Sequence, residues 1–375
     1  MAGKLTGVFG VVIYAFAGVL ACSNAIAQAY PSKPVRFVVP YPAGGPFDEV
    51  ARAVAHLLTP VWGQQVIVDN RSGAGGSLGA DVVAKWTVDG GAGSARLGAW
   101  MRPGSDPERA MNCDHHTCLH GRIPLKGAPA PRSGTPPDGY TMLLGNSGPI
   151  TVNPNLRRDL QYDPLRDLAP VTQIIAAPMV LVVHPSLPVH SVKDLVRLAK
   201  ASPGRLNYAS AGIGNLQHLA MESLQSMAHI KMNHVPYKGA APAFIDLLSG
   251  QVDLMFANIV GVLPHIWARK VRPLAISAAQ GSPVLPGIPG IAATLPQFDL
   301  DGWMGIFVRA GAPPEIIAKM HKDIAAAVGN KDFRERFAKR GAQVTVGGPE
   351  GLARIIREET VLYAKIIKTA GIKPE

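Results

Sequence analysis

Three times along this chain a short apolar run breaks into a glycine-containing loop and reopens as a helix: at Tyr41 to Asp48, at Asn70 to Gly79 and at Ser210 to Asn215. Strand, glycine turn, helix is the unit from which parallel sheets with covering helices are built, so an α/β fold is expected. The first instance shows the reasoning. Val35 to Val39 is an apolar run of strand length, and Pro40-Tyr41-Pro42-Ala43-Gly44-Gly45 cannot lie inside a helix or a strand. Pro46 then suits a first helical position, ahead of Val50, Val54, Leu57 and Leu58 on one face, which predicts a helix from Pro46 to Leu58.

The rest of the chain repeats this grammar. Unbroken apolar runs at Pro178 to His184 and Val252 to Phe256 predict strands buried on both faces. Helices are expected from Ser191 to Ala201, Asn215 to Ala228, Ala241 to Leu248, Gly261 to Arg269, Pro314 to Gly329 and Pro349 to Thr369. One stretch breaks the pattern. Residues 86–135 show neither helical nor strand periodicity and are rich in Gly, Ala, Arg and Pro, so they read as an irregular insertion.

A chain of 375 residues with 47% hydrophobic and 17% charged residues is globular and long enough for two domains. Three cysteines exclude a disulfide-dense scaffold and any four-cysteine cluster. The formal charge of +11 suits nucleic acid, an anionic surface or small anions. Scattered Lys and Arg with only 6% aromatic residues argue against nucleic acid.

Lys4, the apolar run Val8 to Ala21 and the small-residue site Ala25-Ile26-Ala27 read as a secretory signal peptide over residues 1–27, with Gln28 opening the mature chain. The run is too short to span a bilayer, which takes about 20 apolar residues. Val19-Leu20-Ala21-Cys22 is an imperfect match to a lipid-attachment site, the lesser alternative. Export to a compartment without ATP argues against kinases and NAD-dependent enzymes and leaves binding proteins, hydrolases and structural proteins.

The glycine loops carry the chemistry. A helix start leaves backbone N–H groups without internal partners and bears partial positive charge, so loops of this kind suit carboxylate, sulfate or phosphate. Several facing one cleft would grip an organic anion at both ends without a metal. Each loop also has a purely geometric explanation, and Asp48 in particular is placed to cap the Gly45 N–H. No P-loop, dinucleotide fingerprint or G-x-S-x-G elbow is present, and no cofactor is expected. Ser210 with His218 as its base would make a secreted hydrolase, the alternative from another class.

Val38-Val39-Pro40-Tyr41-Pro42-Ala43-Gly44-Gly45 with Asp48, then Val68 to Gly76 (VDNRSGAGG) and Pro137-Asp138-Gly139-Tyr140-Thr141, resemble the Bug receptors, the solute-binding proteins of tripartite tricarboxylate transporters. Asn207 to Gly212 (NYASAG), His218-Leu219-Ala220, Val235 to Gly239 (VPYKG) and Gly302-Trp303 extend the resemblance from Tyr30 to the C-terminus, apart from the insertion. It implies a periplasmic binding protein type II-like fold: a two-lobed Venus flytrap, each lobe a mixed sheet flanked by helices. Lobe one would be residues 28–148 plus 258–375, and lobe two residues 149–257. The ligand implied is a small carboxylate, the partners an inner-membrane permease and, for a sensing role, a sensor kinase, and the receptor a monomer. Carried onto this chain, Tyr41, Ala43, Gly44, Gly45 and Asp48 form one jaw, and Ser210, Ala211, Gly212, Gly214 and Asn215 the other. Asn146, Ser147 and Gly148 at the first crossing and Asn258 at the return are further contacts, although the family often has Ser or Thr near the former and Asp at the latter.

The insertion departs from that family. It holds Cys113-Asp114-His115-His116-Thr117-Cys118-Leu119-His120, which would suit zinc or copper but matches no standard module. A Cys113–Cys118 disulfide after export is the stronger expectation. A third possibility is an insertion or reading-frame accident without selected function.

Overall fold

The computed structural model describes residues 30–88, 132–298 and 300–372. The signal peptide with Cys22 and the Cys113–His120 cluster therefore lie outside the described residues.

Strand β1 (Val35–Val39) feeds helix α1 (Pro46–Trp62), and β2 (Val66–Asn70) feeds α2 (Ser77–Ala84) through a 3-10 turn at Ala74–Gly76. A ribbon of β3 (Trp86–Val88) and β4 (Arg132–Gly134) precedes β5 (Thr141–Asn146). A π-type turn (Gly148–Val152) and the short helices α3 (Asn153–Leu156) and α4 (Pro164–Asp167) lead into β6 (Leu168–Val183). Then come α5 (Val192–Ala201), β7 (Asn207–Ser210), α6 (Leu216–Ala228), β8 (Asn233–Pro236), α7 (Ala240–Leu248), β9 (Leu254–Asn258), α8 (Ile259–Trp267) and β10 (Arg272–Ile276). The chain closes with β11 (Asp301–Arg309), α9 (Pro314–Gly329), α10 (Lys331–Ala338), β12 (Gln343–Gly347) and α11 (Pro349–Thr369).

One mixed sheet runs in the order β2-β1-β5-β11-β6-β9-β7-β8, with β10 and β12 also paired to β6. The spine is β6. Its residues Leu168 to Pro178 pair with β11, and Met179 to Val183 pair with β9. The run LAPVTQIIAAPMVLVV carries no charge and is largely buried, as a strand covered on both faces must be. Pro178, which has no N–H to give to a ladder, stands where the strand exchanges partners.

By strand pairing β6 changes partners at Pro178, from β11 to β9 and β10, and the chain rejoins the first half of the sheet with β11. Glycine loops mark where a strand stops, but carry no information about which half-sheet the next strand joins. The strand expected from Pro178 begins ten residues earlier, at Leu168, because Thr172 and Gln173 interrupt its apolar run while its pairing with β11 continues through register shifts on either side of them.

Helix α1 also runs further than expected. Pro60 reads as a stop, yet the helix reaches Trp62 and ends at Gly63 in the left-handed conformation (φ 60°). The Trp62 ring is buried and its indole N–H donates to Asp323 Oδ2 at 2.8 Å, so tertiary contacts hold a last turn that local preference would release. The irregular reading of 86–135 needs correction at its edges. Trp86–Val88 and Arg132–Gly134 pair as an antiparallel ribbon, and Thr135 N–H donates to Lys85 O at 3.0 Å.

The core is continuous along one face of the sheet, from β1 and α1 through Ile174 and Val180 of β6 to Met255 and Val260. On the other face two clusters divide the work. Val38, Leu143, Trp303, Phe307 and Leu352 lie under the first half, and Tyr208, Leu219, Phe256 and Tyr363 under the second. Truncating a fully buried aromatic such as Phe256 to Ala is expected to cost about 3–5 kcal/mol.

Candidate functional site

A cavity lies between the two sheet halves, at the ends of β1, β5, β7 and β9 from which the loops spring. This is where open α/β sheets hold ligands. Its first wall begins with Tyr41, which is buried and stacked against Phe47 with ring centroids 4.4 Å apart. The Tyr41 hydroxyl donates to Asn146 Oδ1 at 3.1 Å, tying the loop after β1 to the end of β5. Burial pushes its phenol far above the ordinary value, so it remains a neutral donor. Gly45 is the N-cap residue of α1, with Pro46 at the first position and no side chain capping the helix. Asp48 does something other than expected. Its Oδ2 accepts from the Gly44 N–H at 3.0 Å and from Arg52 Nε at 2.9 Å, rather than from Gly45. Burial pushes its carboxyl upward, but hydrogen bonds from Arg52, Gly44 and Asn70 and the Arg52 charge outweigh this and hold it below the usual value. Asp48 braces the loop and does not line the cavity.

The second wall is stitched differently. Asn215 caps α6, its Oδ1 accepting from His218 N at 3.0 Å. The Ala211 N–H donates to Gln217 Oε1 at 2.9 Å, the Gly212 N–H to Ser210 Oγ at 3.2 Å and the Gly214 N–H to His218 Nδ1 at 3.4 Å. Three of the amides expected to grip a ligand are thus already engaged within their own loop. Asn258 caps α8 through Val260 N at 3.0 Å, and Ala240 and Ala241 open α7 behind the uncapped Gly239.

Four helices, α1, α6, α7 and α8, thus bring their N-termini to one cavity. Among the described residues no Lys or Arg lines it. The polar lining is Tyr41, Asn146, Ser147, Asn215, Gln217 and Asn258, with the Trp303 indole, against an apolar body of Phe47, Met179, Leu216 and prolines. Neutral donors and aligned dipoles of this kind attract an anion without fixing it by a salt bridge.

Of the residues expected from sequence, Tyr41, Gly45, Asn146, Ser147, Ala211, Asn215 and Asn258 meet at this cavity. Gly44 lines the groove leading away from it, with Arg340 and His265. Ala43, Gly148, Ser210, Gly212 and Gly214 do not line it. The glycines serve the seam between the halves. A Cβ on Gly212 would stand 3.2 Å from Gly75 N, and one on Gly75 (φ 63°) would overlap the Ile213 carbonyl, so only glycine lets these loops meet. Ala240, Ala241, Gly302 and Trp303 were not expected. The stretch Val235 to Ala241 repeats the strand–glycine–helix order, a signal that would have placed the start of the expected helix α7 at the site.

Residues 131–372 match the family model described as the tripartite tricarboxylate transporter family receptor. The chain belongs to this receptor family. It is 31% identical to BugT of Bordetella pertussis (strain Tohama I) over 372 residues, 99% of this chain and 98% of BugT. Its fold is similar to that of Rpa4515 of R. palustris, solved with adipate: TM-score 0.77 and 31% identity, over 92% of this chain and 100% of that one. MatC of Rhodopseudomonas palustris, solved with bound malate, gives a TM-score of 0.74 at 27% identity, over 90% of this chain and 100% of that one. The α/β, periplasmic-binding-protein fold expected from sequence is the one these receptors have.

Within this receptor the hydrolase pairing does not form. Ser210 is fully buried, and its Oγ meets His234 Nε2 at 2.7 Å rather than His218. The His234 ring stacks between Tyr208 (4.7 Å) and His218 (4.4 Å). Burial pushes His218 down to about 4, and burial with the His218 charge pushes His234 down to about 3, so both are neutral packing groups at pH 7. Among the described residues no group of three or more His, Cys, Asp or Glu is placed to hold a metal ion, and no helix is long and apolar enough to cross a membrane.

Proposed function

We propose that this receptor captures a small organic acid in the cavity between its sheet halves and carries it, closed around the ligand, to a membrane permease. The observation that carries this reading is the convergence of four helix N-termini on a cavity that no Lys or Arg among the described residues lines. Adipate in Rpa4515 and malate in MatC support a carboxylate, and the apolar Phe47, Met179 and Trp303 suit a carbon skeleton between its polar ends.

The site works by Tyr41, Asn146, Ser147, Asn215 and Asn258 with the backbone of Gly45, while Ala211 lines it with its N–H held by Gln217. Asp48, Gly44, Ser210, Gly212 and Gly214 shape the loops that present them. An acid touching both walls favours the closed form by its difference in affinity for closed and open states. No bond is made or broken, and the receptor acts as a periplasmic monomer after its signal peptide is removed. The same closed form would be what a sensor kinase reads.

Thermal denaturation with a panel of mono-, di- and tricarboxylates, amino acids and aromatic acids tests this. At a hundred times Kd the right acid stabilises by about 2.7 kcal/mol. A panel without any stabilising acid would refute the reading.

A further inference from the structure

Behind the cavity wall formed by Ser147 and Trp303 sits a carboxyl that the capture reading does not use. Glu359, on α11, turns inward and accepts from Thr151 Oγ1 at 3.0 Å. Thr151 is fully buried and its Oγ1 also lies 2.9 Å from Ser147 O, one turn back, so its single hydroxyl hydrogen serves either Ser147 O or Glu359. Ser147 and Trp303 are 1% and 4% exposed and both line the cavity. Both stand near enough to Glu359 to stabilise its charge, yet neither Ser147 Oγ nor Trp303 Nε1 completes a well-aligned hydrogen bond among the described residues. Two buried donors therefore stand between a carboxyl on one side and the ligand cavity on the other.

We propose that Glu359 is a positioning residue for capture, and that the organic anion is taken up together with one proton held on the Glu359 carboxyl. This rests on the reading of the cavity as a carboxylate site. The coupling between carboxyl and ligand is electrostatic. Ionised Glu359 draws the Ser147 and Trp303 hydrogens toward itself and repels a second negative charge on the cavity side of these two residues. Protonated Glu359 removes the repulsion and leaves both donors to the ligand. An anion in the cavity must then raise the carboxyl's proton affinity, and by reciprocity a proton on Glu359 raises affinity for the anion.

Among the described residues the elements packed most closely on α11 bring few charged groups toward Glu359. Neither β6, β12, the turn at Gly148–Val152 nor α3 carries an ionisable side chain. From α6 come only His218, stacked on His234, and Glu222, hydrogen-bonded to the Tyr208 hydroxyl. On α11 itself Tyr363 is the titratable neighbour; burial first, then the Glu359 charge, pushes it far upward, with Asp301 adding a smaller push. Burial pushes Glu359 up to about 7, against the weaker pull of Trp303, Thr151, Ser147 and Tyr363, which brings its proton exchange into the ordinary working range.

Titration calorimetry of the full receptor with adipate and with malate, from pH 5.5 to 8.5 and in two buffers of different ionisation enthalpy, tests the proposal. The expected result is uptake of up to one proton per acid bound near pH 7.5, and affinity roughly tenfold weaker at pH 8 than at pH 6. Glu359→Gln, which keeps shape and loses the charge, is expected to flatten the pH profile and abolish proton uptake. Proton-neutral, pH-independent binding in the wild-type protein overturns the inference and leaves the capture reading standing. So does a Glu359→Gln profile that follows the wild type. No binding of adipate, malate or any acid of the panel at any pH removes both.

Discussion

The two walls of the cavity are built from the same sequence unit but finished differently. In the first, helix α1 begins at an uncapped glycine, and the loop is braced from outside the cavity by Asp48 and Arg52. In the second, Asn215 caps α6 and the side chains of Ser210, Gln217 and His218 consume the loop's own amides. One wall keeps backbone donors open; the other is prefabricated and presents side chains. A glycine loop at a helix start is therefore an opportunity for anion binding, and whether it remains one depends on whether the following turn brings its own acceptors.

The strongest way to break this comparison is to stop the walls meeting. Gly75→Ala puts a methyl group against the Ile213 carbonyl and should weaken acid binding by about a hundredfold or more in calorimetry, because the closed population is removed. Folding should suffer by only about 1 kcal/mol from the left-handed backbone. Undiminished affinity would mean that the loop contact has no part in closure.

Acid should separate the halves next. A histidine in the unfolded chain titrates near its ordinary 6.5, whereas His218 in the folded second half titrates at about 4. Between those values the unfolded state binds the extra proton, so stability is full above 6.5 and falls with pH, by about 3 kcal/mol for His218 alone. Asp48 in the first half is shifted below its ordinary 3.8, so its contribution persists above 3.8 and is lost only at lower pH. Hydrogen exchange from pH 7 to 4.5 should show β7, β8 and α6 opening ahead of β1 and α1. Simultaneous loss would erase the distinction.

Smaller effects sharpen it. Asn215→Ala removes the α6 cap and should lower the urea-derived stability by about 1 kcal/mol while also weakening acid binding. Arg52→Ala loses an ion pair whose arginine is 57% exposed, and a shift of about 0.5 kcal/mol or less is expected in the same denaturation assay.

Much of this was legible in the sequence. Period and punctuation are local properties, so β1, α1, β7 and α6 and the loops between them could be read from residues 35–62 and 207–228. Tyr41, Asn146 and Asn215, named from sequence, line the cavity. What escaped was long-range. Nothing near Pro178 says that one strand serves two half-sheets, and nothing near His218 says that Ser210 will turn to His234 instead. Trp303 and Glu359 reach the wall by packing from strands and helices far along the chain, which spacing within a window cannot register.

The β3–β4 ribbon sits at the trailing end of α2, an eight-residue helix about 12 Å long whose leading end carries the Gly75 seam. The chain departs and returns there through adjoining doorways, roughly 5 Å apart. That geometry makes it a natural splice point: a foreign module with neighbouring termini could be hung from Val88 and Arg132 as a reporter, leaving the clamp at the opposite end free to open and shut.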